Sequence, residues 1–119
     1  MKVFSVETAE IIQRPYGVMR MLAGGKLLRT GNLDLRILEI RAGESTTTHH
    51  HLLSESIFLV VSGALIMTVD GDDVTLGPDE GVVVLPGEVH VLHNVGDKIA
   101  HVLEAMAPPF ASNDIIYRD

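Results

Sequence analysis

Turn chemistry recurs along this chain at short intervals, and that spacing limits what it can fold into. Ala42-Gly43, Ser62-Gly63, Asp70-Gly71, Gly77-Pro78, Pro86-Gly87 and Gly96-Asp97 punctuate residues 33–108, which end at Pro108-Pro109. Glycine and proline are the strongest breakers of regular structure, and no convincing amphipathic helix fits between them. The intervening segments read as strands. Leu33-Asp34-Leu35-Arg36-Ile37 alternates apolar and polar residues, as a half-buried strand does. The β-branched run Thr46-Thr47-Thr48 favours an extended chain. Glu55 to Ser62, Ala64 to Val69, Val74 to Leu76, Val89 to Asn94 and Ile99 to Met106 continue the series, with Asp70-Gly71 the strongest hairpin signal. Val82-Val83-Val84-Leu85 is predicted to be a strand buried on both faces. The expectation is an all-β sandwich or barrel.

The ends are less regular. Val18 to Leu22 is predicted as a strand followed by a Gly24-Gly25 turn, and the tail from Ala111 to Asp119 either folds across a face or frays. At 119 residues the chain is expected to form one domain. It contains no cysteine, which excludes disulfides and thiolate metal sites. The formal charge is −7 and the nine lysines and arginines are scattered, which argues against a nucleic-acid surface. Acidic residues interrupt the start MKVFSVETAE, unlike a signal peptide, and the apolar stretch from Ile57 to Val69 is broken by Ser62-Gly63. Neither nucleic acid nor membrane is therefore an expected partner, and a cytoplasmic protein is expected.

Three of the six histidines stand in a row, His49-His50-His51. Side chains two apart on a strand share a face, so His49 and His51 point together and His50 points away. Taken alone, such a run is an ordinary hydrated polar edge. Two imidazoles on one face can also both reach a metal ion at about 2.0–2.1 Å. A further histidine, His90, follows the Pro86-Gly87 turn at the head of a predicted strand.

Together these residues resemble the two motifs of the cupin superfamily. Gly43, His49, His51 and the closing Gly63 match the first motif; Gly87, His90 and Asn94 match the second, with residues 64–78 between them. The resemblance implies a double-stranded β-helix, or jelly-roll β-barrel, over about residues 33–108. The segment 1–30 would then cover the barrel or a homodimer interface. It also implies a metal site of His49, His51 and His90 holding a divalent transition metal such as zinc, iron, nickel or manganese.

The chain departs from the motifs in two ways. The second motif's opening glycine falls on Asp79 and its proline on Leu85, one place before Pro86. The first motif's metal-binding glutamate falls on Ser56, with Glu55 one place early. A one-residue offset on a strand reverses the face, so Glu55 is a fourth ligand only if a bulge re-phases the strand.

The resemblance implies a small metal-dependent enzyme acting on a small organic molecule, of dioxygenase, isomerase or cyclase type. The rival reading is a non-catalytic ligand-binding or structural cupin with a vestigial site, since fold does not choose function. No residue stands out as a general base. The pocket is expected to be apolar apart from its histidines, and Phe58, Val60, Met67 and Val69 are expected to line the barrel. Arg36 and Arg41 are expected to face outward, Glu104 to sit near the opening, His93 to lie on the surface, His101 to be half-buried or in the pocket wall, and Asn94 to secure a turn.

Overall fold

A computed structural model describes residues 1–118. Eleven strands follow one another: β1 (Glu10–Arg14), β2 (Gly17–Ala23), β3 (Asp34–Ile40), β4 (His49–His51), β5 (Glu55–Ser62), β6 (Leu65–Val69), β7 (Asp72–Leu76), β8 (Gly81–Val84), β9 (His90–His93), β10 (Ala100–Ala107) and β11 (Ile115–Tyr117). Among the described residues no helix is long and apolar enough to cross a membrane. The strands form a six-stranded sheet in the order β1-β2-β3-β10-β5-β8 and a five-stranded sheet in the order β11-β4-β9-β6-β7. Non-consecutive neighbours such as β3 and β10 make this a double-stranded β-helix.

Period-two alternation builds the interior. On β3, β5 and β10 every second residue is buried: Leu38 and Ile40, Phe58 and Val60, Val102 and Met106. All of these except Met106 pack with Leu65, Met67, Leu76 and Leu92 of the opposite sheet. Burying an aliphatic or aromatic side chain of this kind is worth about 1.5–3 kcal/mol. The register stacks inward-facing residues in rows across the large sheet. Met21, Arg36, Glu104, Phe58 and Val82 make one row; Asp34, Met106, Ser56 and Val84 make the next.

The predicted Asp70-Gly71 hairpin forms, with φ of +49° and +84° at its two residues. Those positive values are what a primed two-residue turn requires to match strand twist. Asp79, at the motif's glycine position, also has positive φ (+70°); aspartate tolerates this region better than most side chains. The N-terminal residues pair as a β1–β2 hairpin that extends the large sheet beyond β3, and the tail becomes β11, pairing with β4. One expectation fails at β8. It lies at the edge of its sheet, and Val83 is 61% and Leu85 52% exposed. The strand is buried on one face only, because no layer of the described residues covers the outside of the sheet.

Candidate metal centre

Antiparallel pairing brings the histidines together. His49 on β4 lies directly opposite His90 on β9, and their ring centroids are 4.3 Å apart. His51, two residues on, shares the face, with centroids 5.1 Å from His49 and 6.0 Å from His90. Their candidate ligand atoms all lie within 4.8 Å of one another. Local hydrogen bonds hold this geometry: Gly87 N–H donates to the His51 carbonyl at 2.7 Å, and Thr46 N–H to the Leu92 carbonyl at 2.9 Å. Gly87 itself has φ of +84°, a turn conformation that glycine adopts without Cβ strain.

The second nitrogens of the rings decide which atoms are free. His49 Nδ1–H donates to the Thr47 carbonyl at 2.6 Å, His90 Nδ1–H to the Glu88 carbonyl at 2.9 Å, and His51 Nδ1–H to Asp114 Oδ2 at 3.2 Å. All three acceptors can only accept, so each Nδ1 must carry the hydrogen and each neutral ring keeps its lone pair on Nε2. The Nε2 atoms of His51 and His90 are buried with no hydrogen-bond partner. A buried unpaired acceptor is costly in a native protein, and a cation among the three rings would satisfy it. Burial depresses the pKa of His49 to about 4 against its bond to Thr47, and the nearby His90 and His51 push the same way. Burial likewise lowers His51, with His90 adding to it. His49 and His51 are therefore neutral at physiological pH, the state in which imidazole binds metal. Zinc, iron and nickel all accept such nitrogen donors.

Asp114 is the outer support of this cluster. Burial disfavours its charged form, but N–H groups of Leu53 (2.6 Å) and Ser54 (3.3 Å) donate to it, and its pKa ends below the usual value. It stays a carboxylate and fixes the His51 tautomer, a common arrangement around metal-ligating histidines.

His49 and His51 open onto a cavity of about 690 Å³, whose walls include Tyr16, Met19, Arg36, Leu38, Phe58, Glu104 and Met106. Arg36 and Glu104 are each only 5% exposed, with Nε 3.1 Å from Oε1. Burial raises the Tyr16 pKa to about 12, so its hydroxyl stays protonated.

The cupin-domain family profile matches residues 36–106 of this chain. The chain belongs to the cupin family. It is 34% identical over 71 residues to the tetracenomycin polyketide synthase protein TcmJ of Streptomyces glaucescens, covering 60% of this cupin and 48% of that protein. It is 33% identical over 79 residues to the polyketide synthase CurC of Streptomyces cyaneus, covering 66% and 50%. The cupin thus spans about half the length of these curated relatives. Among solved structures, KdgF from Halomonas sp. superposes with a TM-score of 0.81 at 18% identity, covering 95% of this chain and 97% of that one. A Streptomyces Pac13 variant with uridine gives 0.76 at 18%, covering 100% and 92%. At such identity these structures share the fold alone.

Several residues of the cupin lie elsewhere than expected. Arg36 faces inward rather than outward, because β3 buries Asp34, Arg36, Leu38 and Ile40 in phase. The cavity is therefore not apolar apart from its histidines, and Glu104 is buried against Arg36. Arg41 is exposed, donating to the Pro15 carbonyl at 2.7 Å. His50 does not line the cavity, yet its Nδ1 is buried without a partner, so it is less solvated than a hydrated edge would be. Ser56 is 2% exposed and Glu55 is exposed on the opposite face, with β5 in unbroken alternation between Glu55 and Val60. Asn94 donates to the carbonyls of Ile40 and Lys98, both at 2.8 Å, and accepts from Gly96 N–H. His93 contacts the Ser45 hydroxyl outside the cavity, and His101 contacts Ser62 Oγ at 2.9 Å. Asp114 was not among the expected site residues. Its sequence context, Ser112-Asn113-Asp114, carries only a turn signal.

Proposed function

We propose that this cupin is a metal-dependent enzyme that converts a small, partly apolar organic molecule inside its barrel. The reading rests on one observation. Three clustered imidazoles have their Nδ1–H groups committed to carbonyl or carboxylate acceptors, leaving their Nε2 lone pairs free, and two of them, His49 and His51, line a large cavity. His49, His51 and His90 would hold a divalent transition metal, with no carboxylate ligand, because Ser56 occupies the inward position and Glu55 faces out. When bound, such an ion supplies Lewis acidity toward a substrate oxygen.

The remaining roles belong to the chain. Phe58, Leu38 and the methionines exclude water from an apolar substrate body, the Tyr16 hydroxyl can donate a hydrogen bond, and the Glu104 carboxylate can hold or accept a proton. The polyketide synthase names of two relatives agree with an oxygen-bearing carbon skeleton. The working form is proposed to be a homodimer, because Ile57, Leu59, Val61 and Val83 stand exposed on the outside of the large sheet.

Metal analysis tests the reading on protein expressed without a histidine tag and purified without added metal. One equivalent of transition metal per chain is expected; His51→Ala should lose it and His50→Ala should keep it. Wild type that neither carries nor takes up zinc, iron, nickel or manganese would return the protein to the non-catalytic reading.

A further inference from the structure

Arg36 is a buried cation with too few partners. Its Nε lies 3.1 Å from Glu104 Oε1 but outside hydrogen-bonding geometry. Its terminal nitrogens face two thioethers, Met19 Sδ at 3.8 Å and Met106 Sδ at 3.2 Å. Thioether sulfur is a weak acceptor, so five N–H donors share one misaligned carboxylate and two poor partners. Asp34, in the adjoining row, is occupied by Phe110 N–H at 2.7 Å. As a stabilising device the pair makes little sense, since well-packed apolar residues usually do as well or better than a buried ion pair.

Placement supplies the reason. Arg36 and Glu104 are direct cross-strand neighbours on the inner face of β3 and β10, and both line the cavity that holds His49 and His51. Arg14, Lys26 and Arg29 lie on the same lining, with Glu10 the other acid there besides Asp34 and Glu104. The lining thus carries four cationic and three acidic side chains in a chain of net charge −7, with Arg36 the buried cation among them. A planar guanidinium with unfilled donors matches a carboxylate, which can accept two parallel hydrogen bonds.

We propose that Arg36 anchors the carboxylate of a largely apolar organic acid, and that Glu104 accepts a hydroxyl next to that carboxylate. The two residues orient the ligand against the histidines, while Met19, Leu38, Phe58 and Met106 contact its apolar body. This inference rests on the cavity being the ligand-binding space, but it does not need the metal.

The test uses the full-length, metal-free protein, so that no ion can bind the probe directly. The fluorescent acid 3-hydroxy-2-naphthoate and its neutral methyl ester are titrated in parallel. Wild type should bind the acid saturably and the ester about 10- to 100-fold more weakly, the range for charge-assisted hydrogen bonds. Arg36→Met/Glu104→Leu, which removes both charges together, should abolish that preference. If the double variant does not fold, Arg36→Lys keeps the charge but loses the fork, and should reduce the preference several-fold. Equal affinity for acid and ester, a preference undiminished in the folded variant, or no saturable acid binding by wild type overturns the proposal. A separate zinc titration reports on the histidines alone, so a wild type that lacks acid selectivity yet binds zinc refutes this inference and not the metal reading.

Discussion

Ser56 and Glu55 show how one residue of offset sets the chemistry of a site. Alternation turns Ser56 into the barrel, where its Oγ is buried without a partner, and turns Glu55 out. Ser56→Glu should therefore put a carboxylate beside the three imidazoles and tighten zinc binding, whereas Glu55→Ala should change it little, since removing an exposed carboxylate costs little. Zinc titration of both variants decides this, and a large loss in Glu55→Ala would show the register to be wrong. The depressed pKa of His49, about 4, makes a second prediction. An unfolded histidine titrates near 6.5, so as pH falls the unfolded chain takes up the proton first. The stability of the metal-free protein is then fully present above about pH 6.5 and falls away toward pH 4. His49 would account for at most about 3 kcal/mol, lessened by solvent screening because it is only half-buried. Thermal melts of metal-free protein across this window should show the decline, and His49→Gln should flatten it.

The short strand β4 depends on its neighbours to hold three ligand-bearing residues in phase. It meets β9 only at the His49–His90 pair, and its other side is closed by β11. Asp114 fastens that closure, accepting from Leu53 and Ser54 while it takes the His51 hydrogen. Asp114→Asn can present its amide toward His51 and release the tautomer, so zinc affinity should fall about 10- to 100-fold, the usual cost of losing such an outer partner. Calorimetric titration against wild type measures it; unchanged affinity would mean that β4 is oriented without the tail. None of this was legible in the tail's sequence, because the contact spans 63 residues and depends on where β11 docks.

Across the whole molecule, both sheets bury their inner faces while the outside of the large sheet stays bare. Ile57, Val61 and Val83 are at least half exposed, and β8 leaves a free strand edge beside them. Exposed apolar faces and unpaired edges invite pairing with another copy. Sedimentation at micromolar concentration should show a dimer, and Ile57→Lys/Val83→Lys should yield folded monomer; a monomeric wild type would dismiss the face as an interface. The sequence by itself determined the strand succession, the Asp70-Gly71 hairpin, the convergence of His49 and His51, and the barrel-lining Phe58, Val60 and Met67. These follow from local turn chemistry and the two-residue period of a strand, which act over a few residues. Tertiary structure alone decided that Arg36 and Glu104 face each other inside, that Asp114 supports His51, and that Val83 is exposed. Period two tells which residues share a face but not which face is covered, and that depends on how distant strands pair and what packs against them.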